Sequence, residues 1–185
     1  MKRHLFALGF VLLCVAGCQQ GTDAERRYQQ AKERLAKAKS SVETFYALGS
    51  AAKEALNAGR HKEARNYALQ LENMMEKYKK DWNYGNAVHD ANIVLGRLAL
   101  LDNRVTEAKE RLRKAAAAPA SPQLKTTGPN MTLARDLLAR GERQAVIDYL
   151  TRCDDLWETG REQLSEWNRQ VQTGQSPDFG ANLLN

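Results

Sequence analysis

Few residues of this 185-residue chain have the type and spacing of a catalytic or metal-binding site. Neither His61 nor His89 has a second histidine, cysteine or carboxylate at the helical spacing of a metal site. Asp154, Asp155 and Glu158 could form an acidic cluster, but near the end of a predicted helix a solvated face is the simpler interpretation. The chain has no serine in a G-x-S-x-G turn and no glycine-rich phosphate loop. We therefore predict a protein that is not an enzyme and binds neither a metal nor a cofactor.

One cysteine stands in a distinctive context at the amino terminus. Basic residues at positions 2–4 precede an apolar run at 5–15, which is too short to span a membrane as a helix of about 20 residues. The sequence VAGC then ends at Cys18. This order resembles the lipobox of bacterial lipoproteins. The resemblance implies that residues 1–17 are a signal peptide and that the Cys18 sulfur carries diacylglycerol. It also implies that the amino group of Cys18, once freed by cleavage, carries an acyl chain such as palmitate. The alternative is a signal peptide cleaved nearby without lipidation.

The residues around this cysteine also bear on location. Gln19 follows Cys18, where an aspartate would resemble the inner-membrane retention signal of enteric bacteria. We therefore expect a lipid-anchored protein of the cell envelope, at the outer membrane and facing the periplasm. The acyl chains would hold it there, because each buried methylene contributes about 0.8 kcal/mol. Cys14 would leave with the signal peptide and Cys18 would carry the lipid, so Cys153 would have no internal disulfide partner. It is predicted to be a small buried residue.

A pattern of small and apolar residues recurs around three breaks, at Gly59, Asn103 and Gly141. Short breaks between amphipathic segments predict antiparallel helix pairs. Equivalent positions hold small residues where two helices would touch and larger ones in the next layer: Ala52, Gly96 and Ala134 before the break, and after it Ala64, Ala108 and Val146, then Ala68, Leu112 and Leu150, then Leu71, Ala115 and Cys153. In the second pair, Gly96 and Ala108 are the predicted points of closest approach.

The second pair, with Leu95, Gly96, Ala108 and Leu112, resembles the tetratricopeptide repeat (TPR), and the other two pairs resemble it more loosely. The resemblance covers residues 41–157. The breaks recur at 44 and 38 residues instead of about 34, and the tryptophan and tyrosine positions of the repeat are not kept. The resemblance implies three stacked TPR-like hairpins whose first helices form a concave face. The alternative is an unrelated helical bundle with alanine-rich contacts.

The whole chain is predicted to be all-α, with a lipidated tether at 18–22, a TPR-like helical domain at 23–172 and a tail at 173–185. A first helix starts at Asp23, and the capping-box spacing at 40–43 either starts a second helix or lies within the first. The proline-rich segment 119–130 is predicted to run extended. It is either a binding loop or a structural wrap with Leu124 in the core.

The end of the chain is predicted to close the array. Trp157, Leu164, Trp167 and Val171 fall on one stripe, which is typical of a capping helix at the open end of a repeat stack. The tail that follows either docks on the protein itself or is a free peptide for a partner.

Two functions fit these features. The first is an envelope lipoprotein that acts as a protein–protein interaction or assembly module, with the peptide or helix of another envelope protein in its groove. The candidate groove residues are polar residues of the first helices: Lys53, Asn57, Asn92, Arg97 and Arg135. A protein with this first function resembles in kind the TPR lipoproteins that act as pilotins, as assembly factors of outer-membrane proteins or as regulators of peptidoglycan enzymes. The second is a carrier of a lipid or small ligand, with a cavity lined by Tyr149, Trp157 and Trp167.

Nucleic acid is not an expected partner, because the formal charge of +6 is not concentrated in one patch.

Overall fold

The protein is all-helical, as the sequence predicts. The computed structural model describes the backbone of residues 11–184 and the side chains of residues 23–184, and within that range it contains no β-strand. The α-helices are α1 (Val11–Ala36), α2 (Ser41–Asn57), α3 (His61–Met74), α4 (Tyr84–Leu101), α5 (Val105–Ala116), α6 (Pro122–Thr127), α7 (Thr132–Leu138), α8 (Arg143–Arg152) and α9 (Arg161–Gln172). Short 3-10 helices lie at Cys153–Asp155, Glu158–Gly160 and Gly180–Leu183.

Part of the predicted membrane anchor lies outside this range. Residues 1–10 of the predicted signal peptide and the side chain of Cys18 lie outside the described residues. Among the helices of the described part, none combines the length and the apolar character that a membrane crossing requires.

Three helix pairs, α2–α3, α4–α5 and α7–α8, are joined by the same turn. Its central residue is Gly59, Asn103 or Gly141, with φ of +72°, +58° and +81°, a left-handed conformation that glycine adopts without strain and asparagine tolerates. In each turn the N–H of that residue donates to the carbonyl three residues earlier, and the following N–H donates to the carbonyl five residues before it. This is the Schellman arrangement, which satisfies the last carbonyls of the first helix. The three breaks predicted from the sequence are therefore three copies of one turn.

The pairs are stacked in chain order through their first helices. Helix α4 contacts both α2 and α7, and α5 contacts α8. The residues at the predicted contact positions are buried in all three pairs, including Ala64, Ala108 and Val146 just after the turns. Each pair thus buries an apolar stripe that it could not cover alone, which is how repeated hairpins gain stability by stacking.

Gly96 lies where three helices meet. A Cβ at this position would lie 3.0 Å from the Cβ of Arg111 and 3.5 Å from the carbonyl oxygen of Ala108, and would overlap the side chain of Leu133. The distance to Ala108 is an ordinary contact, but the distance to Arg111 is tight and the overlap with Leu133 is closer than real side chains come, so any larger residue would displace a neighbour. The close approach of Gly96 and Ala108 expected from the sequence is present, and the third helix, α7, contributes to it.

Helix α1 folds back along α2 with its carboxyl end at the start of α2. Ser40 caps α2, its hydroxyl accepting from the N–H of Glu43 at 3.2 Å, so a second helix does begin there. Tyr28 is buried against the α2–α3 pair. Helix α1 runs from Val11 to Ala36 with no proline to interrupt it, so the backbone of residues 18–22, predicted as a tether, lies within this helix.

The segment 119–130 is a wrap, and it is not fully extended as predicted. Ser121 caps α6 by accepting from the N–H of Leu124 at 3.1 Å, and Pro122 stands in the first turn, where its missing N–H costs nothing. Leu124 is buried. The tail also docks on the protein: Phe179 packs on Trp167 with ring centres 5.1 Å apart, and the N–H of Met131 donates to the carbonyl of Asn182 at 2.8 Å.

Candidate functional site: the inner face of the helix array

The first helices of the three pairs present one shared surface, which we call the inner face. It consists of the sides of α2, α4 and α7 that do not pack on the second helices. Residues spaced by three, four or seven along a helix lie on the same side, so Lys53 and Asn57 of α2 lie beside Asp90 and Arg97 of α4. Asp136 of α7 continues the surface.

Near the amino end of α4, the inner face holds an ion pair between two hairpins. The ammonium of Lys53 lies 3.1 Å from Oδ2 of Asp90, with the two side chains 18% and 15% exposed. Gly49 makes room for this carboxylate, because a Cβ there would lie 2.8 Å from Oδ2 of Asp90. Partial burial makes such a pair stronger than an exposed one, although desolvation of both charges offsets much of the gain.

Nearer the turns, a second polar network crosses all three first helices. The guanidinium of Arg97 donates to Oδ1 of Asn57 at 3.2 Å and to Oδ2 of Asp136 at 2.8 Å. Arg135 donates to the other oxygen of Asp136, also at 2.8 Å. Arg97 is therefore held in one orientation between α2 and α7, while part of its edge still faces solvent.

Four of the five predicted groove residues lie on this face, and Asn92 does not. The Asn92 side chain is buried, donates to the carbonyl of Val88 at 2.8 Å and accepts from Arg111 at 3.1 Å. Arg111 also pairs with Glu72. Around the helix, Asn92 lies about 140° from Arg97 at 100° per residue, so it faces the second helices instead.

Two depressions open on the inner face. The first, of about 300 Å³, lies at the turn end between α4 and α7 and is lined by Leu100, Leu101, Ala139, Arg97, Asp136 and Arg140. It combines an apolar floor with two guanidinium groups and one carboxylate. The second, of about 130 Å³, lies between α2, α4 and α6, and its polar lining includes Ser50, Lys53, Asn83, Asp90 and Gln123. Helix α6 forms one wall of this second depression, so the wrap also shapes the site.

Below α6, a buried histidine joins the wrap to the array. His89 is fully enclosed, between the carbonyl of Ala115 and the backbone N–H of Asn130. Burial lowers the pKa of His89, and the nearby Asp90 carboxylate opposes that shift. Both ring nitrogens are engaged within the protein, so His89 is a structural residue.

The aromatic residues of the predicted ligand cavity pack against their neighbours. Trp157 and Trp167 have ring centres 5.8 Å apart, and Phe179 closes on Trp167 from the tail. Tyr149 is buried and donates its hydroxyl to the carbonyl of Asn130 at 2.9 Å. This packing counts against a lipid or small-ligand cavity between these rings.

Cys153 and the acidic residues that follow it are the remaining candidates for a reactive site. Cys153 is buried in the core at the register position expected for it, and burial raises the pKa of its thiol well above the ordinary value. Asp154 is exposed and pairs with Arg161 at 3.6 Å. Between residues 23 and 184, no three or more His, Cys, Asp or Glu side chains are grouped so as to hold a metal ion.

The acidic partners Asp90 and Asp136, and also Leu101 and Arg140, were not predicted from the sequence. Asp90 could have been found from its spacing of seven residues before Arg97, which places it on the same side of α4. Arg140 lies just before the turn glycine, and no spacing rule marks it.

Comparisons of the chain with protein-family models, with curated proteins and with solved structures found no match. A fold class alone does not imply a function, so the function has to be inferred from the geometry of the inner face.

Proposed function

We propose that this protein is a lipid-anchored lipoprotein of the bacterial cell envelope that binds a segment of another envelope protein along its inner face. In this proposal it is an interaction or assembly module with TPR-like hairpins, anchored through Cys18 and facing the periplasm from the outer membrane. The observation that carries the proposal is the network around Arg97, which joins the first helices of three successive hairpins on one solvent-accessible surface.

The charges of this surface suit a partner with acidic and apolar groups. Asp136 serves both Arg97 and Arg135. Among the residues whose side chains the structure describes, Arg140 bonds to neutral groups alone, Oδ1 of Asn103 at 3.1 Å and the carbonyl of Leu100 at 3.4 Å. The turn-end depression therefore has an excess of positive charge beside Leu101, a side chain 55% exposed. A carboxylate next to an aliphatic side chain in the partner would meet both features.

The side chains are also held in place before any partner arrives. Arg97 has hydrogen bonds on two sides, so less side-chain freedom is lost on binding than for a free arginine. Fixed, partly desolvated arginines at the centre of a surface are typical of residues that dominate binding energy.

The orientation of α1 fits an anchor at the turn end of the array. Arg27 pairs with Glu54 at 3.1 Å and Arg60 pairs with Glu25 at 3.2 Å. These pairs place the beginning of the described side chains of α1 beside the end of α2 and its turn. A lipid on Cys18 would therefore attach near the turns, and the amino ends of α2 and α4 would lie farther from the membrane.

In-cell crosslinking of the tagged full-length protein, followed by affinity purification and mass spectrometry, tests this proposal. We expect one dominant envelope protein, and we expect the double variant Arg97→Ala/Arg140→Glu to lower its recovery by roughly tenfold or more, as for loss of a binding hot spot. The control is Arg169→Glu, which removes an exposed arginine of α9 whose ion-pair partner is Glu166 on the same helix. Equal recovery from the double variant, at equal melting temperature, would overturn the role of the inner face.

A further inference from the structure

An exposed aromatic pair lies at the end of the inner face opposite the turns. Trp82, in the loop before α4, is 57% exposed and Tyr46 of α2 is 37% exposed. Their ring centres are 5.2 Å apart. Tyrosine and tryptophan are enriched at binding interfaces, so two adjacent exposed rings mark a candidate binding surface.

The pair is fixed by hydrogen bonds and is not a loose surface contact. The indole Nε1 of Trp82 donates to the hydroxyl of Tyr46 at 3.1 Å, and that hydroxyl donates to Oδ2 of Asp81 at 2.8 Å. The other oxygen of Asp81 accepts from the N–H of Asn83 at 2.8 Å, which holds the loop itself. The faces of both rings are therefore presented in a defined geometry.

Tyr46 is also part of the wall of the polar depression between α2, α4 and α6, so the rings and the depression form one continuous surface. The side-chain amide nitrogen of Asn86 donates to the side-chain oxygens of Asn83 and Gln123, and its oxygen accepts from the hydroxyl of Ser121. Within the described part of the chain, three neutral groups of the lining make no hydrogen bond to the protein: the amide nitrogens of Asn83 and Gln123 and the hydroxyl of Ser50. The second oxygen of Asp90 and two N–H groups of Lys53 are available as well.

We propose that the Trp82–Tyr46 pair and this polar depression bind a neutral carbohydrate. The apolar face of a pyranose ring would lie on the indole, and its hydroxyl groups would reach the depression. Every sugar hydroxyl both donates and accepts, which matches a lining that offers amide and ammonium donors beside carboxylate and hydroxyl acceptors.

The charge of the depression favours a neutral ligand over an ionic one. Lys53 and Asp90 neutralise each other at 3.1 Å, so neither an anion nor a cation gains a net partner there. Its shape favours a sugar over an extended peptide, because α6 closes one side and the volume is only about 130 Å³. This surface is separate from the arginine network nearer the turns, so the inference does not depend on the proposed protein partner.

Calorimetric titration of the purified full-length chain with soluble oligosaccharides tests the inference. Three tetramers serve as probes: β-1,4-linked N-acetylglucosamine, the cell-wall type of chain, and β-1,4- and α-1,4-linked glucose, which represent other polysaccharides. We expect at least one to bind, and we expect Trp82→Ala and Gln123→Ala each to weaken it by roughly tenfold, the loss for one good aromatic or hydrogen-bonding contact. Preference for the first probe would assign the ligand to cell-wall glycan.

Two controls separate this site from general effects. Leu69→Ala removes another exposed apolar side chain, 44% exposed and on α3, and Arg97→Ala removes the centre of the arginine network; both are expected to bind the sugar like wild type. Binding of none of the probes, or equal binding by wild type and both site variants, would overturn the inference. Loss of protein-partner capture in Trp82→Ala without any sugar binding would also overturn it and assign the pair to the partner protein.

Discussion

His89 of α4 is joined to Asn130, 41 residues later, by a hydrogen bond of 2.9 Å from the backbone N–H of Asn130 to the ring Nε2. The other ring nitrogen, Nδ1, lies 3.1 Å from the carbonyl oxygen of Ala115. A carbonyl only accepts, so Nδ1 carries a proton. Nε2 accepts from a backbone N–H and therefore carries none, so the ring is neutral. This single tautomer ties the end of the wrap to both helices of the second hairpin.

A stability that depends on the neutral ring should fall in acid. Burial lowers the pKa of His89 below its ordinary value of 6.5, so the unfolded chain takes up a proton before the folded one does. The stabilisation is complete above pH 6.5 and is lost as the pH falls toward the lowered value, with a slope of at most about 1.4 kcal/mol per pH unit. Urea unfolding between pH 8 and pH 5 measures this slope. His89→Gln should be less stable at pH 8 and lose this part of the slope, whereas His61→Gln, at an exposed position, should keep it. An unchanged slope in His89→Gln would contradict the assignment.

A charge in the buried contact between α4 and α5 should unfold the array. Ala108 is fully buried, with its carbonyl oxygen 3.5 Å from where a Cβ of Gly96 would be. Ala108→Asp places an unpaired carboxylate in this contact, and we expect a loss of about 3–5 kcal/mol in the free energy of unfolding. Thr106→Asp puts the same residue at an exposed position of the same helix and should be nearly neutral. Thermal melting of the two variants makes the comparison, and equal melting temperatures would show that the register of the hairpin is wrong.

The docked tail should contribute to stability through one amide. The Asn182 side chain donates to the carbonyls of Thr127 and Pro129, both at 3.1 Å. Asn182→Ala leaves these carbonyls without that donor, and we expect a loss of about 1–3 kcal/mol. Leu184→Ala, two residues on and 77% exposed, is the matched control and should melt like wild type. A tail that is free in solution would make both variants neutral.

The predicted lipid anchor makes a separate test in cells. Cys18→Ser removes the sulfur that would carry diacylglycerol, so the chain should remain uncleaved or appear in a soluble fraction. Cys14→Ser should be processed and fractionate with the outer membrane like wild type, because Cys14 lies within the predicted signal peptide. Membrane fractionation with immunoblotting gives the readout. Processed Cys18→Ser protein in the outer-membrane fraction would rule out lipidation at this residue.

The repeated turns could be predicted from sequence because their cause is local. Gly59, Asn103 and Gly141 are residues that tolerate a left-handed backbone, and small residues at fixed distances from them mark the helix contacts. Helix α6 could not be predicted in this way, since six residues are too few to show a period.

The candidate site was predicted only in part, because it depends on how separate hairpins stack. Lys53 and Asp90 are 37 residues apart, and only the packing of α2 on α4 brings them together. Helical spacing alone would have shown that Asn92 faces away from Arg97. The aromatic pair depends on the path of a loop, and loop paths have no periodic signal.

The contact between Asn182 and the segment 127–131 has a consequence for how the chain reaches its final state. Each hairpin is closed by contacts between residues near one another in sequence, and such contacts form early in folding. The hydrogen bonds from the Asn182 side chain to the carbonyls of Thr127 and Pro129, by contrast, join residues that are 55 and 53 positions apart in sequence. A chain emerging from synthesis can therefore build its first hairpins one by one. The third acquires its lock only when residues 179–183 arrive, so nascent or truncated chains should expose this end of the array to proteases and chaperones.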